Sequence, residues 1–148
     1  MENLLYPVCL EEYCNYFGVA FENLCLPCIF CCHSLDTLEL LSFEQKRLSL
    51  VWRNYKCYAA CAACIRKTAA IEKNRYFQCA VKGEYIEHVS QERLQELNVR
   101  CLECMTLLTS AEKVDIIASG ESFYLVRGHW KGICRSCGSN AWEFGNYA

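Results

Sequence analysis

Residues 25–32 read Cys-Leu-Pro-Cys-Ile-Phe-Cys-Cys, four thiols in eight positions, with His33 directly behind them. Fourteen of the 148 residues are cysteine, so the chemistry open to this chain is that of sulfur: disulfide, thiol redox or metal ligation. A shift of 73 residues sorts the thiols. It carries Cys28, Cys31, Cys61 and Cys64 onto Cys101, Cys104, Cys134 and Cys137, while Cys9, Cys14, Cys25, Cys32, Cys57 and Cys79 find no cysteine partner. His33 falls on Thr106 and drops out with them. Each half therefore reads C-x2-C-x29-C-x2-C, and thirty-six residues separate the halves.

Two C-x2-C pairs supply the four thiolates of a closed tetrahedral zinc site, and two intervening residues let a tight turn aim both sulfurs at one ion. One such pair alone would serve equally as a redox motif. Four pairs in exact register argue for metal, one structural zinc per half, with no duplicated histidine and no open position for a catalytic water. The compartment agrees. The N-terminal stretch has no basic region and carries Glu2, Glu11 and Glu12, which is not the pattern of a signal peptide, and no N-x-[ST] sequon occurs. Asn23 to Leu35, the longest uncharged stretch near the start, is too short to span a bilayer. A reducing compartment is expected, where clustered cysteines ligate metal rather than pair. The six unpaired cysteines read as small apolar packing residues.

Formal net charge is only -2, which argues against a general phosphate-binding surface. Its distribution is uneven: residues 1–42 hold six acidic and no basic side chains, leaving fifteen basic against eleven acidic in residues 43–148. From charge alone this reads first as a solvated surface of uneven composition, with a field suited to an acidic protein partner as the second reading.

The elements that must position the ligands follow the same repeat. In the first half, 42–48 has helical character and runs into the strand-like 49–55; in the second, Ser110 is expected to cap a helix and 122–128 to form the strand. Residues 62–75, rich in Ala and without Gly or Pro, predict a helix bridging the halves. An N-terminal helix is expected from about Cys9 to Phe17, an extended segment over 76–86, and a short helix over 90–99. The fold class is α+β: two duplicated small zinc-binding domains joined by a linker helix. Residues 1–20 form an acidic N-terminal segment, 21–75 the first zinc domain with the linker helix from about 62, 76–138 the second, and 139–148 a flexible tail.

The double array with its thirty-six-residue spacer, together with Val99-Arg-Cys-Leu-Glu-Cys and Val126-Arg-Gly-His-Trp-Lys-Gly-Ile-Cys-Arg-Ser-Cys, resembles early protein six of papillomaviruses over about residues 20–138. Leu48-Ser-Leu-Val-Trp-Arg-Asn54 is similar to the cutaneous-type members of that family. The resemblance implies a viral oncoprotein-type adaptor in host nucleus and cytoplasm, without catalytic activity, whose two zinc domains and linker helix form a cleft for acidic LxxLL helices of host proteins. Leucines one turn apart enter an apolar pocket while basic side chains hold the acidic flanks. Carried over by position, the lining would be Ile29, Leu48, Leu50, Val51, Ala60, Ile65 and Val126, and the polar grip Arg53, Arg100, Arg127 and His129. On their residues alone, Leu50, Val51 and Val126 read first as core, and Arg100 reads also as a donor to a zinc-bound sulfur. His129 stands where many members have Arg, which weakens the grip at neutral pH. Trp130 is expected to pack within its own domain.

The same resemblance implies mastermind-like coactivators of Notch transcription as the favoured partners, with a HECT-type ubiquitin ligase competing, and weak self-association. The terminal Asn146-Tyr147-Ala148 departs from the PDZ-binding ending of high-risk mucosal members, so no PDZ partner is expected. Two other classes fit the sequence less well. A zinc-dependent nucleic-acid-binding regulator lacks basic helical stripes and interleaved stacking aromatics, and a RING-like ligase would interleave its eight ligands rather than keep four per half.

Overall fold

The structure, a computed structural model, describes residues 6–138. The expected flexible tail at 139–148 and the acidic residue Glu2 lie outside the described residues. The chain divides into two units, Met1–Ile65 and Arg66–Ala148.

In the first unit, α1 spans Leu10–Phe17 between Cys9 and Gly18. Cys9 makes no side-chain cap; Glu44 supplies one from a distance, its carboxylate accepting from the Leu10 and Glu11 amides at 3.2 and 3.1 Å. Those are amides a helix start leaves without partners. Gly18 closes the helix in the left-handed region at φ 64°, the backbone freedom for which glycine is favoured there. Helix α2 covers Thr37–Gln45, five residues earlier than the 42–48 expected, because Asp36 and Glu39 form a capping box that fixes its start. Strands β1 (Val51–Arg53) and β2 (Lys56–Tyr58) pair antiparallel across the two-residue turn Asn54-Tyr55. Both turn residues have positive φ, 52° and 66°, as the strand twist of a tight hairpin demands. The core gathers Leu10, Leu24, Leu26, Leu35, Leu40, Phe43 and Leu50 around Cys28 and Cys61.

Helix α3, Ala62–Tyr76, begins in the first unit and continues into the second. It realises the helix expected over 62–75, with Lys73 and Arg75 in the last turn, where positive charge meets the negative end of the helix dipole.

The second unit holds a four-stranded sheet in the order β3-β5-β6-β4, with β3 at Phe77–Lys82, β4 at Arg100–Cys101, β5 at Ser122–Val126 and β6 at His129–Gly132. The β4–β6 pair is parallel and the others antiparallel. Of the extended segment expected over 76–86, β3 keeps the middle, and Gly83–Tyr85 is a 3-10 turn. The helix expected over 90–99 lies instead at Ile86–Ser90 (α4), because Gln91 adopts the left-handed conformation at φ 61° and ends it. Helix α5, Ser110–Ala118, starts one residue past its cap, which is Thr109 rather than Ser110; Thr109 and Glu112 form its capping box. Ile86, Leu97, Val99, Leu108, Ile116 and Phe123 pack around Cys101, Cys104, Cys134 and Cys137, and Trp130 packs against this same core.

The repeat is structural, not only a matter of ligands. Shifted by 73, α2 lands on α5 residue for residue, Asp36 and Glu39 on Thr109 and Glu112, and the Asn54-Tyr55 turn on Arg127-Gly128. No helix among the described residues is long and apolar enough to cross a membrane. Of the unpaired cysteines Cys57 is buried in the first unit's core and the half-buried Cys14 packs against it; Cys9 is half-buried, and Cys25, Cys32 and Cys79 are exposed.

Candidate metal centres and peptide-binding residues

Each ligand quartet is built from one turn and one helix start. In the first turn, Cys28 N donates to His33 O and Cys32 N to Cys28 O, both at 2.9 Å, and Cys32 takes φ 66°. In the second turn, Cys101 N donates to Thr106 O at 2.8 Å and Met105 N to Cys101 O at 3.1 Å, with Met105 at φ 65°. The other two ligands frame a helix start: Ile65 N donates to Cys61 O and Gly138 N to Cys134 O. A helix N-terminus favours the thiolate form. Strand bridges join the two pieces, Cys28 beside Ala59 and Cys101 beside Gly132, both parallel.

This brings the four sulfurs of Cys28, Cys31, Cys61 and Cys64 within 4.8 Å of one another, and likewise those of Cys101, Cys104, Cys134 and Cys137. Sulfurs at about 2.3 Å from a tetrahedral zinc stand roughly 3.8 Å apart. Cys31 and Cys61 are separated by 3.9 Å and Cys104 and Cys134 by 3.7 Å. Backbone amides turn toward the sulfurs as well: Cys61 N on Cys28, Glu103 N on Cys101 and Cys137 N on Cys134, each at 3.4 Å. From α3, Arg66 Nη2 approaches Cys137 Sγ at 3.8 Å.

The electrostatics ask for a cation. A hydrogen bond from the Cys104 thiol holds Cys101 down to about 4, and giving that bond pushes Cys104 far up. Burial, then the charge on Cys101, pushes Cys137 up to about 12. Four clustered sulfurs cannot all ionise by themselves, and a dication bound among them removes that conflict. Donor set, spacing and charge fit two structural zinc ions, one per unit. The sites differ in exposure: all four ligands of the second are buried, whereas in the first Cys31 is exposed and Cys64 half-buried.

The residues carried over as peptide contacts distribute as follows. In the first unit Ile29, Leu48, Val51 and Ala60 are half-buried, Arg53 is exposed, and Leu50 and Ile65 are buried. In the second, Arg100 is half-buried, Arg127 and His129 are exposed, and Val126 is buried at 1% exposure. Leu50 sits in the first unit's core, so it and Val126 support a surface rather than present one. Arg127 lies with its guanidinium 4.5 Å from the Tyr76 ring centre and its Nη1 3.9 Å from Glu72 Oε1. Arg100 Nη1 donates to Met105 O at 2.9 Å, bracing the second ligand turn.

Sequence reasoning passed over two positioning residues. Arg66, the first residue of the second unit, reaches a ligand sulfur. Lys113 is buried and donates through Nζ to Leu94 O and Leu97 O at 2.6 and 2.9 Å, tying the loop before the third C-x2-C to α5. A charged residue among apolar ones on one helix face was the available signal for Lys113.

The family model described as Early Protein (E6) matches residues 28–137, from the first zinc ligand to the last. Protein E6 of Human papillomavirus type 60 is 45% identical over 137 residues, covering 93% of this chain and 96% of that protein. Protein E6 of Human papillomavirus 4 is 42% identical over 131 residues, covering 88% and 94%. Protein E6 of Human papillomavirus type 8 is 40% identical over 131 residues, covering 88% and 84%. These relatives agree with the cutaneous-type kinship. Among solved structures, the solution structure of the C-terminal zinc-binding domain of HPV51 oncoprotein E6 aligns with 43% of this chain and 87% of its own, at 24% identity and a TM-score of 0.39.

Proposed function

Because the chain belongs to the papillomavirus Early Protein (E6) family, we propose that it is a viral adaptor, without a catalytic centre of its own, that captures acidic LxxLL helices of host proteins. The first unit offers the apolar side chains Ile29, Leu48, Val51 and Ala60 to the leucines, with Leu50 and Ile65 behind them. The second offers Arg100, Arg127 and His129 to the acidic flanks, Val126 supports the turn that carries Arg127, and Arg53 adds charge from the first. Mastermind-like coactivators are the favoured partners, with repression of Notch transcription as the outcome; a HECT-type ubiquitin ligase is the competing one. Both place the protein in host nucleus and cytoplasm.

The observation that carries this reading is Arg127, an exposed cation held over the Tyr76 ring. The ring holds the guanidinium carbon 4.5 Å from its centre, and the ion pair with Glu72 at 3.9 Å is long and exposed enough to contribute little. The group is therefore held in place yet available to a stronger carboxylate. Charge reversal at such a contact weakens binding by roughly tenfold or more. The test is fluorescence anisotropy with an acidic LxxLL peptide: Arg127→Glu is expected to bind at least that much more weakly while keeping two zinc ions. Equal affinity in the zinc-loaded variant contradicts the assignment.

A further inference from the structure

The first zinc site carries more donors than a tetrahedral ion uses. His33 Nδ1 stands 2.8 Å from Cys31 Sγ, and His33 Nε2 stands 3.3 Å from Glu39 Oε2. The ligand atoms of His33, Glu39 and Cys61 lie within 4.8 Å of one another, so the imidazole shares the neighbourhood of a sulfur that belongs to the zinc quartet.

Glu39 is itself fixed. Its Oε1 accepts from the Asp36 amide at 3.1 Å, as part of the α2 capping box, which leaves Oε2 for the imidazole. A carboxylate only accepts, so Nε2 carries a hydrogen toward Glu39, and Nδ1 is the ring atom that faces Cys31. A carboxylate behind a histidine is the arrangement that orients metal-ligating imidazoles in general. Among the described residues the second site has no such group: Thr106 stands at the place of His33, and Glu112, at the place of Glu39, accepts through Oε2 from the Arg135 amide.

Exposure supplies the second half of the argument. Cys31 is the one exposed ligand of the eight, hence the one open to oxidation and alkylation. We propose that His33, oriented by Glu39, is a reserve ligand of the first zinc site that takes the place of Cys31, leaving a three-sulfur, one-nitrogen zinc site when that thiol is lost. The second site, buried and with no reserve donor among the described residues, has no such tolerance. This inference goes beyond helix capture and stands or falls apart from it.

The test uses the full chain, reduced and zinc-loaded, with zinc counted by native mass spectrometry. Cys31→Ser is expected to hold two zinc ions, Cys31→Ser/His33→Ala one, and Cys104→Ser one. With cobalt in place of zinc, Cys31→Ser is expected to shift the visible band to shorter wavelength and weaken the thiolate-to-cobalt charge transfer, as one nitrogen replaces one sulfur. A single zinc in Cys31→Ser, or equal zinc content with and without His33 in that background, overturns the proposal. Should Cys31→Ser fail to accumulate, limited alkylation of the native chain reads the same quantity. Chains alkylated at Cys31 are expected to keep two zinc ions and to lose one only when His33 is Ala; loss with His33 in place overturns it.

Discussion

Asn54 and Arg127 occupy one position in two copies of the same hairpin, 73 residues apart, each opening a two-residue turn with a φ of 52°. Asparagine tolerates that conformation; arginine adopts it at a cost of about 1 kcal/mol. The second unit accepts the strain and gains an exposed guanidinium 4.5 Å from the Tyr76 ring centre.

Arg127→Asn separates these two consequences. Relief of the backbone and loss of an exposed cation–π contact of about 0.5–1 kcal/mol nearly offset each other, so stability is expected to stay within about 1 kcal/mol of the parent. Peptide affinity is expected to fall. Urea denaturation followed by anisotropy checks both, and a large loss of stability would mean that Arg127 is there for the fold.

The two capping boxes are the next point of control. Asp36→Ala and Thr109→Ala each remove the side chain that accepts the third helical amide, of Glu39 and Glu112 respectively, at a typical cost of about 1 kcal/mol. Each effect should stay in its own unit, read as faster release of that unit's zinc to a chelator.

Lys113 should matter more than any exposed lysine. Lys113→Met leaves the Leu94 and Leu97 carbonyls without the ammonium that now serves them, and is expected to destabilise the second unit by about 2–3 kcal/mol. Thermal denaturation of the zinc-loaded chain measures it; a change below about 0.5 kcal/mol would show that the loop is held by other means.

Zinc is expected to fold each unit separately. Cys61→Ser and Cys134→Ser each remove one ligand, and structural sites contribute about 10–16 kcal/mol at neutral pH. Each variant should lose one zinc ion and the folded signals of its own unit in a heteronuclear NMR spectrum, with those of the other unit retained.

Thiol reactivity follows burial. Desolvation pushes Cys57 up to about 12, leaving almost no thiolate at neutral pH, whereas Cys25, Cys32 and Cys79 are exposed. Alkylation of the zinc-loaded chain, mapped by mass spectrometry, is expected to label those three before Cys57. Early labelling of Cys57 would contradict the packing described for the first unit.

The ligand set and the α+β fold were legible because a 73-residue shift is arithmetic, and because a run such as 62–75 with Ala and no Gly or Pro has few alternatives to a helix. Where the reading slipped, local chemistry had been left out. Asp36-x-x-Glu39 and Thr109-x-x-Glu112 are capping boxes related by that same shift, and reading them as a pair would have set both helix starts. Gln91 in the left-handed conformation carries no comparable signal, so the helix expected over 90–99 was misplaced. His33 was discarded for lack of a counterpart, although a lack of symmetry is what a feature private to one half must show.

Helix capture is tested most directly by titrating the reduced, zinc-loaded chain against two labelled peptides, the acidic LxxLL helices of a mastermind-like coactivator and of a HECT-type ubiquitin ligase. The account predicts saturable binding, tighter for the first and abolished when its leucines are replaced by alanine. Failure to bind either peptide, with both zinc ions in place, would contradict it.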